Sequence, residues 1–192
     1  MPGTAAAVPG TLCGVLLVVA ATERELELVR GVDTFCCGIG PVEAALQTAW
    51  VLTERRPEAV LHLGIAGARR LAPPALVLGS ESVYEDARGP LVVARVEPSA
   101  GLLERARAAL PDAHVLPIGT SARVGGTSAC EVEAMEGFGV LRAAAAAGVA
   151  AVELRAISNL IDEPDRGKWR FDEAFAALAD AVFRLVDSRA IP

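Results

Sequence analysis

The chain has 192 residues, of which 53% are apolar and 22% charged, and its formal net charge is −6 at pH 7. This composition is typical of a globular chain with a full hydrophobic core and excludes a disordered one. The acidic balance and the lack of a basic run argue against nucleic-acid or anionic-membrane partners, because both need a face of Lys and Arg.

The N-terminal stretch is rich in Ala, Gly and Pro and lacks the charged segment that opens a signal peptide. Its dense apolar run, from Leu12 to Ala21, is too short to span a membrane. We predict a loose tail over residues 1–12 and one domain over residues 13–192, in a cytoplasmic protein.

The cysteines show neither metal-ligand nor disulfide spacing. None lies in a CxxC motif, and two adjacent cysteines cannot both face one side of a strand. We therefore expect buried, reduced thiols and no metal at Cys13, Cys36, Cys37 and Cys130.

Short β-branched runs alternate with longer runs rich in Ala, Leu and charge, a pattern typical of strands joined by crossover helices. In chain order, the pattern predicts a strand over 13–21, a helix over 22–30, a strand over 32–40, a helix over 41–56, strands over 59–68, 75–86 and 90–97, a helix over 101–110, a strand over 114–126, a helix over 132–148, a strand over 149–159 and a helix over 171–189. Thr22 is the expected N-cap of the first helix, Pro41 opens the second, and Gly148 closes the fourth. The strands over 75–86 and 90–97 lack a helix between them and predict an antiparallel pair. The prediction is a single three-layer α/β domain with a mixed central β-sheet.

Glycines and polar residues follow the predicted strands at their C-terminal ends, where α/β sheets bind ligands. They are Glu23 and Glu25, Gly38–Gly40, Gly64–Gly67, Glu81, Gly125–Thr127 and Ser158–Asn159. Together they predict a small-molecule site, although such turns also favour glycine for its conformation alone. No Walker loop or GxSxG elbow is present, and Glu43 occupies the third glycine position of a GxGxxG motif. His62 and His114 fit core or edge positions better than a catalytic one.

Six motifs carry a resemblance to a known family. The segments "VVAATEREL", "GIGPVEAA", "GIAGA", "SESVYED", "EAMEG" and "RAISN" occur in the same order as motifs of the purine nucleoside phosphorylase and nucleosidase superfamily. Within it the chain resembles most the futalosine hydrolases, menaquinone-pathway enzymes related to methylthioadenosine/S-adenosylhomocysteine nucleosidase. The resemblance implies a nucleoside phosphorylase/hydrolase-like fold, hydrolysis of an N-glycosidic bond without a cofactor, and a homo-oligomer (a dimer or higher).

The resemblance implies a role for two glutamates. Glu25 matches the residue that activates the attacking water, with Glu23 as a neighbour that could take its place. Without the resemblance, Glu25 is interpreted as a glutamate in the first turn of a helix, where its negative charge interacts favourably with the helix dipole. Met135 and Glu136 match the pair that holds the ribose, because one carboxylate can accept bonds from both hydroxyls. By pattern alone, Met135 would be core and Glu136 solvent-facing. The further substrate-binding positions are Ile65, Ala66, Gly126, Thr127 and Ser158.

Ile65 favours water as the nucleophile. The phosphorylases place a serine hydroxyl for phosphate at this position, whereas "GIAGA" offers mainly backbone N–H groups to a dianion. Arg69 and Arg70 follow the turn and could bind phosphate, so a phosphorylase activity remains an alternative.

Asn159 stands where the adenine-specific nucleosidases have an aspartate that protonates the leaving base at N7. An amide cannot supply that proton, but it offers both a donor and an acceptor. It can donate to O6 of a 6-oxopurine such as hypoxanthine and accept from N7–H, whereas adenine would set a donor against a donor. The mismatch costs about 1–3 kcal/mol, which predicts a preference for 6-oxopurines. The alternative is that Asn159 caps a turn.

The segments "GGTSAC" and "DRGKWR" concern the rest of the substrate. The first stands where adenine-specific relatives place an aromatic residue on the base, so Phe138 or Trp169 is a candidate for that contact. In the second, Arg166 could bind the benzoate carboxylate of futalosine in a bidentate manner, with Trp169 over its ring. The alternative is a solvated loop.

Other activities remain open: a methylthioadenosine-type nucleosidase, a purine nucleoside phosphorylase, or a nucleoside-binding protein without turnover.

Overall fold

The computed structural model describes residues 16–87, 89–125 and 129–191. Its strands are β1 (Leu16–Ala20), β2 (Asp33–Cys36), β3 (Ala59–Ala68), β4 (Leu76–Tyr84), β5 (Arg95–Val96), β6 (His114–Thr120), β7 (Val132–Ala134) and β8 (Ala150–Leu160). Its helices are α1 (Glu23–Leu26), α2 (Pro41–Arg55), α3 (Ala100–Ala109), α4 (Gly137–Ala147) and α5 (Phe171–Asp187), with a 3₁₀ turn at Arg166–Lys168. The tail predicted for residues 1–12 lies outside the described ranges.

The described strands form one mixed sheet in the order β2-β1-β3-β7-β6-β4-β5, and β8 pairs with both β3 and β4. The pairs of β1 with β2, β1 with β3 and β3 with β8 are parallel. The pairs of β3 with β7, β4 with β8 and β4 with β5 are antiparallel. Strands β3, β8, β4, β6 and β7 therefore close a ring, from which β1 and β2 extend.

Three hydrophobic clusters hold the layers together. One joins the sheet to α1, α3 and α5, and a second joins the other face to α2 and α4. A third draws its buried residues from the strands of the ring and fills its interior. This arrangement confirms the predicted three-layer α/β architecture with a mixed central sheet.

Three predicted strands and two predicted helices are wrong in extent. The strands predicted over 32–40, 90–97 and 114–126 are shorter, at Asp33–Cys36, Arg95–Val96 and His114–Thr120. The helix predicted over 22–30 is a single turn, Glu23–Leu26. The helix predicted over 132–148 is strand β7 followed by α4, because Val132–Ala134 pairs with β3 and β6. The remaining boundary signals hold: Thr22 caps α1, Pro41 opens α2, and Gly148 ends α4 with a left-handed φ of 70°.

The described cysteines form no disulfide with one another. Burial raises the pKa of the Cys37 and Cys130 thiols to about 12 each, so both stay protonated and unreactive. Cys13 lies outside the described residues. Within the described ranges, no helix has the length and apolar character needed to cross a bilayer.

Candidate active site

A cavity of about 280 Å³ opens where β1, β3, β7 and β8 end. Its volume lies near the lower limit of ligand pockets, about 300 Å³. Most of the residues predicted from the sequence line this cavity: Glu25, Ile65, Ala66, Met135, Glu136, Ser158, Asn159 and Trp169. Gly126 and Thr127 lie outside the described residues. Among the described residues, no group of His, Cys, Asp and Glu could hold a metal ion.

The Glu25 carboxylate is fixed by two elements. One oxygen accepts the backbone N–H and the hydroxyl of Thr22, both at 2.9 Å, in a capping box that starts α1. The other accepts the N–H of Ile65 on β3, at 3.1 Å. Glu25 thus lies at the cavity wall and is also the first-turn glutamate of the alternative interpretation. Its neighbour Glu23 is exposed and does not line the cavity.

Glu136 lies in the turn between β7 and α4 and is buried. One of its oxygens accepts the N–H of Gly40 at 3.1 Å, and the other lies 3.7 Å from Nη1 of Arg155. Burial raises the pKa of the Glu136 carboxyl, while Arg155 and the Gly40 N–H act to lower it. Gly40 has φ 93°, which a residue with a Cβ rarely adopts, so glycine is needed to present this N–H. The expectation from pattern alone, a solvent-facing Glu136, is wrong.

A β-bulge brings Ser158 and Asn159 to the cavity together. Ala66 pairs with Ile157 and Gly67 with Asn159, so Ser158 is the extra residue. Consecutive residues of a regular strand point to opposite faces, and a bulge changes this alternation. Gly67 also leaves room for the amide, since a Cβ there would lie 3.3 Å from the Asn159 nitrogen.

The Asn159 amide has a defined orientation. Its Oδ1 accepts the Ser158 hydroxyl at 2.8 Å, and its Nδ2 donates to the Leu160 carbonyl at 2.9 Å. An amide oxygen has two lone pairs and an amide nitrogen two hydrogens. One acceptor and one donor position therefore remain for a ligand.

Aromatic residues form the side of the cavity next to α5. These residues are Trp169, Phe171 and Phe175. The ring centroid of Phe171 lies 5.6 Å from that of Trp169 and 6.3 Å from that of Phe175. Phe138, the other candidate for base stacking, does not line the cavity and stacks on Tyr84 at 5.1 Å. The structure thus favours Trp169 over Phe138.

Cations lie along the rim. Arg24 and Arg123 line the cavity, and Arg24 also lies over Phe175 at 5.0 Å. Arg166 is exposed and does not line it, but its guanidinium lies 5.3 Å from the centroid of the Trp169 ring. Lys168 pairs with Glu163 at 3.3 Å.

Sequence reasoning missed Arg24, Arg123, Phe171 and Phe175. Arg24 is adjacent to Glu25, and the two phenylalanines have i, i+4 spacing, which places them on one helix face. Neither signal shows that α1 and α5 meet at the cavity.

Comparisons with known proteins identify the family and the fold of this chain. Residues 32–124 match the Phosphorylase superfamily. A futalosine hydrolase from Streptomyces coelicolor is 37% identical over 190 residues, covering 82% of this chain and 80% of that protein.

Solved structures share the fold. The native structure of futalosine hydrolase from Helicobacter pylori has a TM-score of 0.79 and 16% identity, covering 94% of this chain and 99% of that one. A mutant Helicobacter pylori MTAN with 5′-methylthioadenosine in its active site has a TM-score of 0.80 and 16% identity, covering 93% and 99%. At these identities the structures establish the fold, and the match to the Streptomyces protein establishes the family. The chain belongs to the futalosine hydrolase family.

Proposed function

We propose that this chain hydrolyses the N-glycosidic bond of futalosine and releases hypoxanthine and dehypoxanthine futalosine. The observation that carries the proposal is the Asn159 amide, which Ser158 holds at the cavity with one donor and one acceptor position unused. That pair matches O6 and N7–H of a 6-oxopurine. The family assignment supports the same substrate and a step in menaquinone biosynthesis.

The two glutamates have separate roles in the proposed mechanism. Glu25 takes a proton from the attacking water, and its fixed orientation keeps one carboxylate oxygen ready for that transfer. Glu136 accepts hydrogen bonds from the ribose hydroxyls. These bonds strengthen as the sugar becomes oxocarbenium-like, since hydroxyls beside a developing positive charge are better donors.

Asn159 acts on the leaving group. As the glycosidic bond breaks, its electron pair moves into the purine. The amide N–H bonds O6, and the amide carbonyl accepts from N7–H once N7 takes a proton from solvent. The proton does not come from Asn159, which has none to give at this pH.

Water is the proposed acceptor of the glycosyl group. Ile65 supplies a backbone N–H, already bonded to Glu25, and no side-chain donor. Of the two arginines after the turn, Arg69 donates to the Cys130 carbonyl at 2.9 Å and Arg70 pairs with Glu131 at 3.0 Å. Neither lines the cavity.

The α2 face supports a homo-oligomer. Val42, Leu46 and Trp50 have i, i+4 spacing and are exposed by 75%, 62% and 56%. Ile39 precedes them, is 63% exposed, and lines the cavity, so this apolar surface continues to the rim of the site. We propose that a second copy of the chain packs on this apolar surface, since apolar patches of this kind mark protein interfaces. We also propose a cytoplasmic location, in keeping with the proposed biosynthetic step.

A comparison of substrates tests the proposed function. Purified protein is incubated with futalosine, with inosine and with 5′-methylthioadenosine at equal concentrations, and the free base is quantified by chromatography. The expected result is release of hypoxanthine from futalosine at the highest kcat/KM. A higher kcat/KM for 5′-methylthioadenosine would assign the chain to the adenine-specific nucleosidases instead.

A further inference from the structure

A fully buried ion pair lies beneath the cavity. Arg155 and Glu153 are two residues apart on β8, so their side chains leave the strand on the same face. Nε of Arg155 donates to Oε1 of Glu153 at 2.8 Å, and both side chains are 0% exposed. Burying two charges costs desolvation energy that apolar residues of similar size avoid. Such a pair therefore points to a role beyond stability.

The rest of the guanidinium faces the two site glutamates. Nη1 of Arg155 lies 3.7 Å from Glu136 Oε2 and 3.5 Å from the Ile65 carbonyl. A Cβ at Gly64 would collide with Nη1 and would lie 2.8 Å from Glu25 Oε1. The guanidinium and the Glu25 carboxylate thus flank the same glycine, and Arg155 lies between Glu25 and Glu136.

His62 bonds to Arg155 without adding charge. Nη2 of Arg155 lies 2.6 Å from Nε2 of His62, and Nδ1 of His62 lies 3.0 Å from the Val19 carbonyl. The arginine can only donate and the carbonyl can only accept, so His62 is neutral with its proton on Nδ1. Burial and the arginine lower the pKa of His62 well below its usual value, in agreement with this tautomer. The titratable groups that face Arg155 are Glu153 of β8, Glu136 before α4, Glu25 of α1, His62 of β3 and Cys37 after β2.

The Glu153 carboxylate is in turn held by its surroundings. The Ser82 hydroxyl donates to its second oxygen. A Cβ at Gly137, the residue after Glu136, would collide with both of its oxygens. Gly64 and Gly137 therefore leave the space that the ion pair occupies.

We propose that Glu153 is a positioning residue for the hydrolysis: it anchors Arg155 between Glu25 and Glu136 and balances its charge. The inference rests on the proposed function, because it assigns those glutamates to the water and the ribose. Arg155 would then orient both carboxylates, while Glu153 prevents its full positive charge from acting on them.

The charge of Glu153 predicts a direction for the pH profile. Burial raises the pKa of Glu136, and Glu153 adds a smaller increase. Glu136 accepts two hydroxyls only when ionised, so activity falls as the pH drops through its pKa. Removal of the Glu153 charge lowers that pKa, and the acid limb of kcat/KM moves to lower pH.

Two substitutions separate position from charge. Glu153→Gln keeps the size and removes the charge, and we expect kcat to fall at least about tenfold with the acid limb displaced to lower pH. Glu153→Asp keeps the charge and withdraws the carboxylate by one methylene. It should lower kcat to a similar extent without moving the acid limb downward. Glu85→Gln is the control, since Glu85 is a buried carboxylate away from the cavity, and both quantities should match the parent.

Binding isolates the effect on Glu136. In a Glu25→Gln background, calorimetric measurement of the futalosine Kd against pH reports ribose binding without turnover. Adding Glu153→Gln to the Glu25→Gln variant should move the acid limb of futalosine binding to lower pH, as for kcat/KM.

If the parent enzyme releases no hypoxanthine from futalosine, the proposed function fails. With an active parent, a Glu153→Gln variant with unchanged kcat, or with a lower kcat and an unmoved acid limb, would overturn the positioning role. Should Glu153→Gln not fold, an unchanged kcat for Glu153→Asp would overturn it.

Discussion

The Ser158 hydroxyl donates to the Asn159 side-chain carbonyl across 2.8 Å. The Leu160 carbonyl, which can only accept, takes one N–H of the Asn159 amide at 2.9 Å and so distinguishes its two ends. The remaining N–H and the remaining lone pair therefore have fixed directions. A carboxylate at the same position would accept the serine bond but offer the base no N–H.

Asn159→Asp should therefore shift base preference from 6-oxopurine towards 6-aminopurine nucleosides. The ratio of kcat/KM for inosine-type over adenosine-type substrates should fall about ten- to a hundredfold, in line with about 1–3 kcal/mol for one mismatched pair. Ser158→Ala is the matched control, since it loosens the amide without changing its chemistry. It should slow both substrate types and leave the ratio close to that of the parent. An unmoved ratio in Asn159→Asp would refute the base-recognition argument.

Glu25→Gln should abolish hydrolysis, by about 10²–10⁴-fold in kcat, because an amide cannot take the proton of the water. Glutamine also serves at this position of a capping box, so α1 should remain folded. Substrate binding, measured by calorimetry, should stay close to that of the parent. Glu23→Gln, an exposed change two residues away, is the control and should retain activity. The reverse pattern, with Glu23→Gln inactive, would move the base to Glu23.

Arg123→Ala should raise the KM for futalosine at least about tenfold, equivalent to about 1.4 kcal/mol. Arg123 lines the cavity, and the guanidinium of an arginine can bind a carboxylate in a bidentate manner. Arg166→Ala should act in the same direction, because its guanidinium lies over Trp169 at the cavity wall.

Inosine lacks the carboxylate and serves as the control substrate, and Lys168→Ala serves as the control variant because Lys168 pairs with Glu163. Neither should change appreciably. Equal losses on inosine and futalosine, or none on either, would contradict recognition of the carboxylate at this rim.

Leu46→Glu should dissociate the proposed oligomer, since a charge in an apolar interface loses its solvation. Light scattering coupled to gel filtration gives the mass of the parent and of the variant. Phe183→Glu is the matched control, because Phe183 is also a large exposed apolar residue (69%) but lies on α5. A monomeric parent would contradict the proposal.

Local patterns in the sequence predict the main elements and the polar strand ends well. Ser158 and Asn159 follow an apolar run, which predicts a strand end, and Thr22 with Glu25 forms a capping-box pattern, which predicts a helix start. Each of these predictions depends only on residues that are neighbours in the sequence. The sequence pattern predicts a helix at Val132–Ala134, whereas the structure has a strand there, because its pairing with β3 and β6 involves residues far along the chain.

The buried charge network was missed for the same physical reason. Glu153 and Arg155 appear in the sequence as two charges within a strand, and their common face is readable from the spacing. Their contacts with Ser82, His62 and Glu136 span distant parts of the chain. Only the folded sheet shows that the pair lies under the cavity.

In the proposed reaction, water attacks the anomeric carbon of futalosine. The most direct measurement is a single incubation with futalosine in ¹⁸O-labelled water with excess inorganic phosphate, followed by mass spectrometry of the sugar product. Attack by water should yield stoichiometric hypoxanthine and a dehypoxanthine futalosine that carries the label at its anomeric oxygen. A sugar 1-phosphate product would contradict it and make the enzyme a phosphorylase.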